Sequence, residues 1–260
     1  MVSSLFTPFR LGPLTLRNRS IRSAAFEGMA PGHLVSDDLI EYHRAVSEGG
    51  VGMTTVAYAA VSQSGLSFDH QLWLRREAVP GLRRLTNAVH SEGAAAAIQI
   101  GHCGLMAKKS VSGGQCFAPS GRFNLYGPTW PITMKKDAWM KPALKYFGNL
   151  LMKPEPFSEG YFLEDALKVR EVVKLHLIYV GGLVSLEKIE EVLGKGFEFV
   201  QIARALINDP AFINKLRSGE ITRSACKHSN YCIAVMYSDK MRCYQKEVDL
   251  PEKWKRKLGG

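Results

Sequence analysis

No apolar run in these 260 residues approaches the ~20 positions that a membrane-crossing helix requires, which excludes a transmembrane helix. The opening stretch, MVSSLFTPFRLG, lacks the apolar segment of a secretory leader. Cysteine is scarce: the five residues at 103, 116, 226, 232 and 243 are odd in number and scattered, a usage that suits a reducing compartment. Charge of one sign is nowhere concentrated enough to read as a nucleic-acid surface. The net charge of +10 raises that class, but 12 basic residues face 8 acidic ones over 1–130 and 22 face 16 over 131–260. The one local cluster is the tail, Lys253, Lys255, Arg256 and Lys257, where the single aromatic Trp254 falls short of the repeated interleaved aromatics of a base-stacking platform. These absences describe a soluble cytoplasmic protein with a mildly basic surface, no membrane or nucleic-acid partner, and a modest attraction for anionic cofactors.

A chain with 46% hydrophobic and 10% aromatic residues can bury the core of one barrel-sized domain or two small ones. Short apolar runs alternate with amphipathic stretches, the pattern of a parallel α/β sheet. Strands are predicted at Ser20–Ala25, Val51–Ala57, Ala94–Gly101, His176–Val180 and Glu198–Ala203. Ser36 caps a helix running to about Glu48 with Gly49-Gly50 as its stop, and Ser185 caps another that ends at Gly194. Further helices are predicted over 78–92 and Leu163–Val173, with one opening at Pro210. Residues 102–160 break the rhythm with glycines and prolines, and hold one short helical candidate, Met140–Leu151.

The strongest local signal is Gly181-Gly182, which ends the apolar run Leu177–Val180. One helix later, Phe199–Ile202 ends in Ala203-Arg204. Glycine lets backbone N–H groups approach an anion and arginine adds a positive fork, so neighbouring strand ends of this kind suit a phosphate. In a barrel the loops after the last two strands are the usual phosphate site. A glycine pair that merely turns strand into helix is the other reading.

Several segments in order then resemble one family. LFTPFRLGPLTLRNRSIRSAAFEGMA near the start, Ala97–Gly104, Tyr179–Gly182 and Gly196–Leu206 followed by Asp209-Pro210 resemble the Old Yellow Enzyme family of NADH:flavin oxidoreductases. The match covers roughly 5–130 and 157–245. The resemblance implies a TIM (β/α)8-type barrel holding FMN at the carboxyl ends of its strands, within a single domain over 1–260. It implies hydride transfer from NAD(P)H through the flavin to an electron-poor alkene, hence a small-molecule substrate. Carried over by position, Ala24 and Ala25 lie under the flavin ring and Ala57 and Tyr58 near its pyrimidine edge. Gln99 hydrogen-bonds the pyrimidine, an amide offering both donor and acceptor. Gly181, Gly182, Ala203 and Arg204 hold the phosphate, with Ala203 in place of a usual glycine. The alternative for Gln99 is a buried polar residue satisfied by backbone.

The resemblance also shows what is missing. The family's paired donors on its fourth strand, the tyrosine acid after them and a later arginine have no counterpart, so no catalytic residue is assigned. His102 is read as structural. Larger members hold an iron–sulfur cluster with cysteines near a C-x-x-C-N motif; here Ser229 stands in that motif after Cys226, before Cys232 and Cys243, and no metal site is expected. About five βα units are present, and strands four to six, roughly 90 residues at about 30 per unit, are absent. The expected barrel is therefore incomplete, with two unpaired edges that leave the chain open to homo-oligomer formation or to loss of activity as a truncated relative.

Overall fold

The computed structural model describes residues 3–114, 117, 157–235 and 239–245. The helical candidate Met140–Leu151 and the basic tail lie outside them. Two three-residue strands that the sequence reading did not anticipate, β1 (Phe9–Leu11) and β2 (Leu14–Leu16), form an antiparallel hairpin. The main sheet contains β3 (Ser20–Arg22), β4 (Met53–Ala60), β5 (Ala95–Gly101), β6 (Ile178–Val180) and β7 (Phe199–Ile202). Its order is β5-β4-β3-β7-β6 and every pairing is parallel.

The expected α/β architecture is therefore present as a five-stranded sector of a barrel. Among the described strands, β5 and β6 each have one unpaired edge. Apolar side chains that a closed barrel would cover remain exposed there: Ile100 at 60%, Val180 at 49% and Ile178 at 42% of their full surface.

The helices follow from their caps. α1 (Asp37–Glu48) begins where the Ser36 side chain accepts from the Leu39 amide at 3.1 Å, with Asp37 and Asp38 complementing the helix dipole. α2 (Val79–Ser91) packs on α1, and α3 (Leu163–Val172) precedes β6. α4 (Leu186–Gly194) is capped by Ser185, which accepts from the Lys188 amide at 3.2 Å. Arg17 closes the other ends of α1 and α2, donating to the carbonyls of Val51, Glu92 and Ser47.

Pro210 does not open a helix. A short helix, α5 (Arg204–Asn208), comes first, and α6 (Phe212–Ser218) starts two residues after the proline. The reason is packing. The Pro210 carbonyl sits against Gly49, where a Cβ would collide with it, and the Asn214 amide donates to the Gly49 carbonyl at 3.0 Å. Gly49 thus serves close approach as well as helix termination. A last short helix, α7, spans Tyr231–Val235.

Two apolar layers flank the sheet. One gathers Tyr179, Ile189, Val192, Val200, Phe212 and Leu216 around β6, β7, α4 and α6. The other gathers Leu39, Val56, Leu85 and Val89 between β4, α1 and α2. Leu16, Ile21, Met53 and Phe199 form a third cluster beneath the hairpin, where Phe9 meets Phe199 edge-on at 5.0 Å.

Candidate functional site

Because all five strands run parallel, their carboxyl ends share one edge, and every candidate residue lies along it. At one corner β6 leads into Gly181-Gly182 and β7 into Ala203-Arg204. Gly182 has φ +67, and a Cβ there would lie 2.6 Å from Tyr161 Cε1 and 2.9 Å from Phe157 Cε2. Its glycine is therefore required both by the backbone turn and by the aromatic rings against it. The amides of Gly182 and Ala203 have no acceptor among the described residues.

Arg204 Nη1 donates to Asn230 Oδ1 at 2.7 Å, and the guanidinium lies 5.5 Å from the centre of the Phe157 ring. No carboxylate pairs with it among the described residues, although acids neutralise most of its basic neighbours elsewhere on the fold. The His228 ring stacks on Phe157 with the ring centroids 3.4 Å apart. Both His228 nitrogens are buried and have no hydrogen-bond partner among the described residues. Burial, with the Arg204 and Arg223 guanidiniums, takes its pKa down to about 4 and keeps the ring neutral.

Farther along the edge, the pairing of β4 with β5 shifts register between Val56↔Ile98 and Ala59↔Ile100. Ala57 and Tyr58 on β4 thus oppose Gln99 alone on β5, a β-bulge of the kind that re-aims side chains. The three residues that the family resemblance places at the flavin pyrimidine meet at this irregularity. β4 also runs three residues past the expected end at Ala57.

Gln99 is exposed and its side-chain amide has no partner among the described residues, so the reading of a buried, backbone-satisfied glutamine does not hold. Tyr58 Oη lies 3.3 Å from Ser67 Oγ, and its ring packs near Phe26 and Phe68. Ala57 is buried, and its amide is taken by both Glu27 oxygens at 3.0 and 3.2 Å. Ala24 and Ala25 are half-buried just past β3.

The donor set at the β6–β7 corner fits a phosphate monoester: an arginine without an acid partner beside two backbone amides without acceptors. The free amide of Gln99 and the small Ala24 and Ala25 fit a flat heteroaromatic ring on the same edge. FMN carries both groups. His102 is held inside its loop, accepting from the Gly104 amide at 3.0 Å and lying 3.1 Å from Ser64 Oγ. Cys226, Cys232 and Cys243 are free thiols lining one recess with His228 and Asn230. Burial pushes Cys232 up to about 11, and no set of three His, Cys, Asp or Glu side chains among the described residues can hold a metal.

The sequence reading missed the polar group beneath the bulge. Arg22, Glu27 and His43 are all buried, and Arg22 Nη1 donates to Glu27 Oε1 at 2.7 Å. Two opposite charges five residues apart in the otherwise uncharged run SIRSAAFEGMA were the available signal.

A family model described as the NADH:flavin oxidoreductase / NADH oxidase family matches residues 4–141. A 4,4'-dithiodibutanoate disulfide reductase of Rhodococcus erythropolis is 28% identical over 386 positions, covering 94% of this chain and 96% of the relative. About 244 residues of this chain (94% of 260) fill those 386 positions, so about 142 positions (386 − 244) have no counterpart in it, more than the ~90 expected for three missing units. An NADPH dehydrogenase of Listeria welshimeri is 30% identical over 141 residues, 53% of this chain and 40% of the relative, so the chain aligns to under half of that enzyme. The solved Old Yellow Enzyme homologue of Zymomonas mobilis superposes with a TM-score of 0.66 at 16% identity, over 95% of this chain and 99% of that one, a likeness of fold. Among the described residues no helix is long and apolar enough to cross a membrane. With the flavin-oxidoreductase model spanning more than half its length, this chain belongs to the NADH:flavin oxidoreductase / NADH oxidase family, the FMN- and NAD(P)H-using Old Yellow Enzyme family.

Proposed function

We propose that this chain is an FMN-dependent oxidoreductase that passes a hydride from NAD(P)H, through the flavin, to an electron-poor alkene, acting as one domain over residues 1–260. The observation that carries the reading is Arg204, unpaired with any described acid, beside the free amides of Gly182 and Ala203 on the sheet edge that also bears Gln99. Bound FMN supplies the two-electron chemistry. The chain's own residues bind and orient it. Arg204, Gly181, Gly182 and Ala203 hold the phosphate, and Gln99 offers its amide to the pyrimidine, with Ala57 and Tyr58 at the same edge. Ala24 and Ala25 leave room beneath the ring. No described residue is assigned the proton that completes alkene reduction.

The open edges of β5 and β6 favour a second reading, a relative that keeps the phosphate corner without turnover. A visible spectrum of the purified chain before and after NADPH under nitrogen tests both. A flavin band that bleaches, and returns on adding an enone, supports the enzyme. A flavin band that stays with the protein through gel filtration after FMN is added, but does not bleach with NADPH, supports the binding remnant, and protein that emerges without flavin overturns both. Because one relative is named for disulfide reduction, a dialkyl disulfide belongs in the same substrate screen.

A further inference from the structure

Behind the bulge lies a set of buried polar side chains whose hydrogen bonds reach the backbone of two candidate site residues, Ala25 and Ala57. Arg22 donates through Nη1 to the Thr55 carbonyl at 2.6 Å and through Nη2 to the Ala25 carbonyl at 3.1 Å and Tyr42 Oη at 3.2 Å. Glu27 accepts from Arg22 and, with both oxygens, from the Ala57 amide. His43 Nε2 lies 3.3 Å from Glu27 Oε1, while its Nδ1 contacts Thr54 Oγ1 at 2.7 Å. Every member comes from α1, β3, β4 or the loop after β3.

We infer that Glu27 is a positioning residue for the cofactor shelf, fixing Ala57 directly and Ala25 through Arg22, so that the carboxyl ends of β3 and β4 are set before any ligand arrives. The inference rests on the FMN reading proposed above. Its physical basis is the cost of leaving any member unpaired. A buried guanidinium or carboxylate without its partner is strongly destabilised, so the geometry that satisfies Arg22 and Glu27 together is narrowly defined. An apolar plug of equal volume would fill the space without directing hydrogen bonds to Ala25 or Ala57. Charge at this place therefore specifies position.

The test is FMN titration of the full chain by flavin fluorescence, alongside thermal melting. Glu27→Gln is expected to weaken FMN binding by about tenfold or more. The double variant Arg22→Met/Glu27→Met removes both charges together. It is expected to melt near the unmodified protein yet bind FMN about tenfold or more weakly, with the visible band of any bound flavin moved toward that of free FMN. A double variant that melts and binds like the unmodified chain overturns the inference. Hydrogen exchange supplies a measurement that needs no variant: the Ala57 amide should exchange slowly without FMN, and fast exchange until FMN is added overturns pre-positioning. If the unmodified chain fails to bind FMN, the proposed function falls and takes this inference with it; binding by the unmodified chain and equally by the variants sinks the inference alone.

Discussion

Arg204 meets Asn230 through a single 2.7 Å hydrogen bond to an amide oxygen, so its charge is positioned but not neutralised. A cation held by a neutral partner, beside amides without acceptors, is poised for an anion. Arg204→Ala should weaken FMN binding by roughly 10- to 100-fold, the range of a lost charge-assisted hydrogen bond of about 1.5–3 kcal/mol. Riboflavin, which lacks the phosphate, should bind both proteins alike. A variant equally weakened for both ligands would show that Arg204 does not contact the phosphate.

Gln99 offers the complementary case. Its side chain is exposed and unpartnered, so Gln99→Leu should change stability by no more than ~0.5 kcal/mol. It should nevertheless weaken FMN and riboflavin to the same degree, by several-fold for one neutral hydrogen bond of about 1 kcal/mol. Parallel melting and titration experiments check this, and unchanged riboflavin affinity would remove Gln99 from the ring site.

Gly182→Ala probes the corner itself. The φ of +67 and the Tyr161 and Phe157 rings leave no room for a methyl group. The left-handed conformation alone costs about 1–2 kcal/mol in a residue with a Cβ, and displacing the rings adds to it. A urea midpoint unchanged from the parent protein would contradict this packing.

Acid should destabilise the fold through the buried Glu27 and His43 and the half-buried His228. Burial works to raise the Glu27 carboxyl, but Arg22, His43 and the Ala57 amide outweigh it and hold it below the usual carboxylate range. Burial lowers His43, and burial with two nearby guanidiniums takes His228 to about 4. Each group binds fewer protons folded than unfolded, so stability rises with pH across its window. The histidine contributions are complete above about pH 6.5, the unfolded value, and that of His228 is lost on descending to about 4. The Glu27 contribution persists lower and disappears as the pH falls through its depressed folded value. His228→Asn, in which Asn tolerates the φ of +53, should flatten the melting temperature profile between pH 6.5 and 4. An unaltered slope would remove His228 from the account.

Features set by local chemistry were readable in the chain. Ser36 and Ser185 cap the helices expected of them, because an N-cap needs only its own side chain and the next turn. The five main strands and the shared edge, on which the proposed phosphate corner lies, followed from apolar rhythm and glycine placement. What escaped depends on residues distant in sequence. The β1–β2 hairpin has strands too short for alternation to register. The Ala57–Tyr58 bulge reflects how β4 must run beside β5, which neither strand encodes alone. Pro210 resembled a helix start, yet its carbonyl is placed by Gly49, 161 positions earlier. The Arg22–Glu27–His43 set requires α1 to fold over β4 before its charges can meet.

The packing of Gly49 against Pro210 belongs to a wider seam. β3 pairs with β7, the Val200 amide donates to the Arg19 carbonyl at 3.0 Å, the Met241 amide to the Glu27 carbonyl at 2.8 Å, and Glu190 accepts from the Ser4 and Leu5 amides. All of these bonds join the portion before residue 114 to the portion after 157, and none passes through the stretch between them. Two polypeptides, one ending and the other beginning within 115–156, should thus recognise each other when co-expressed and co-purify as a complementing pair. Failure of the two pieces to co-purify would show that this seam alone does not hold the described portions together.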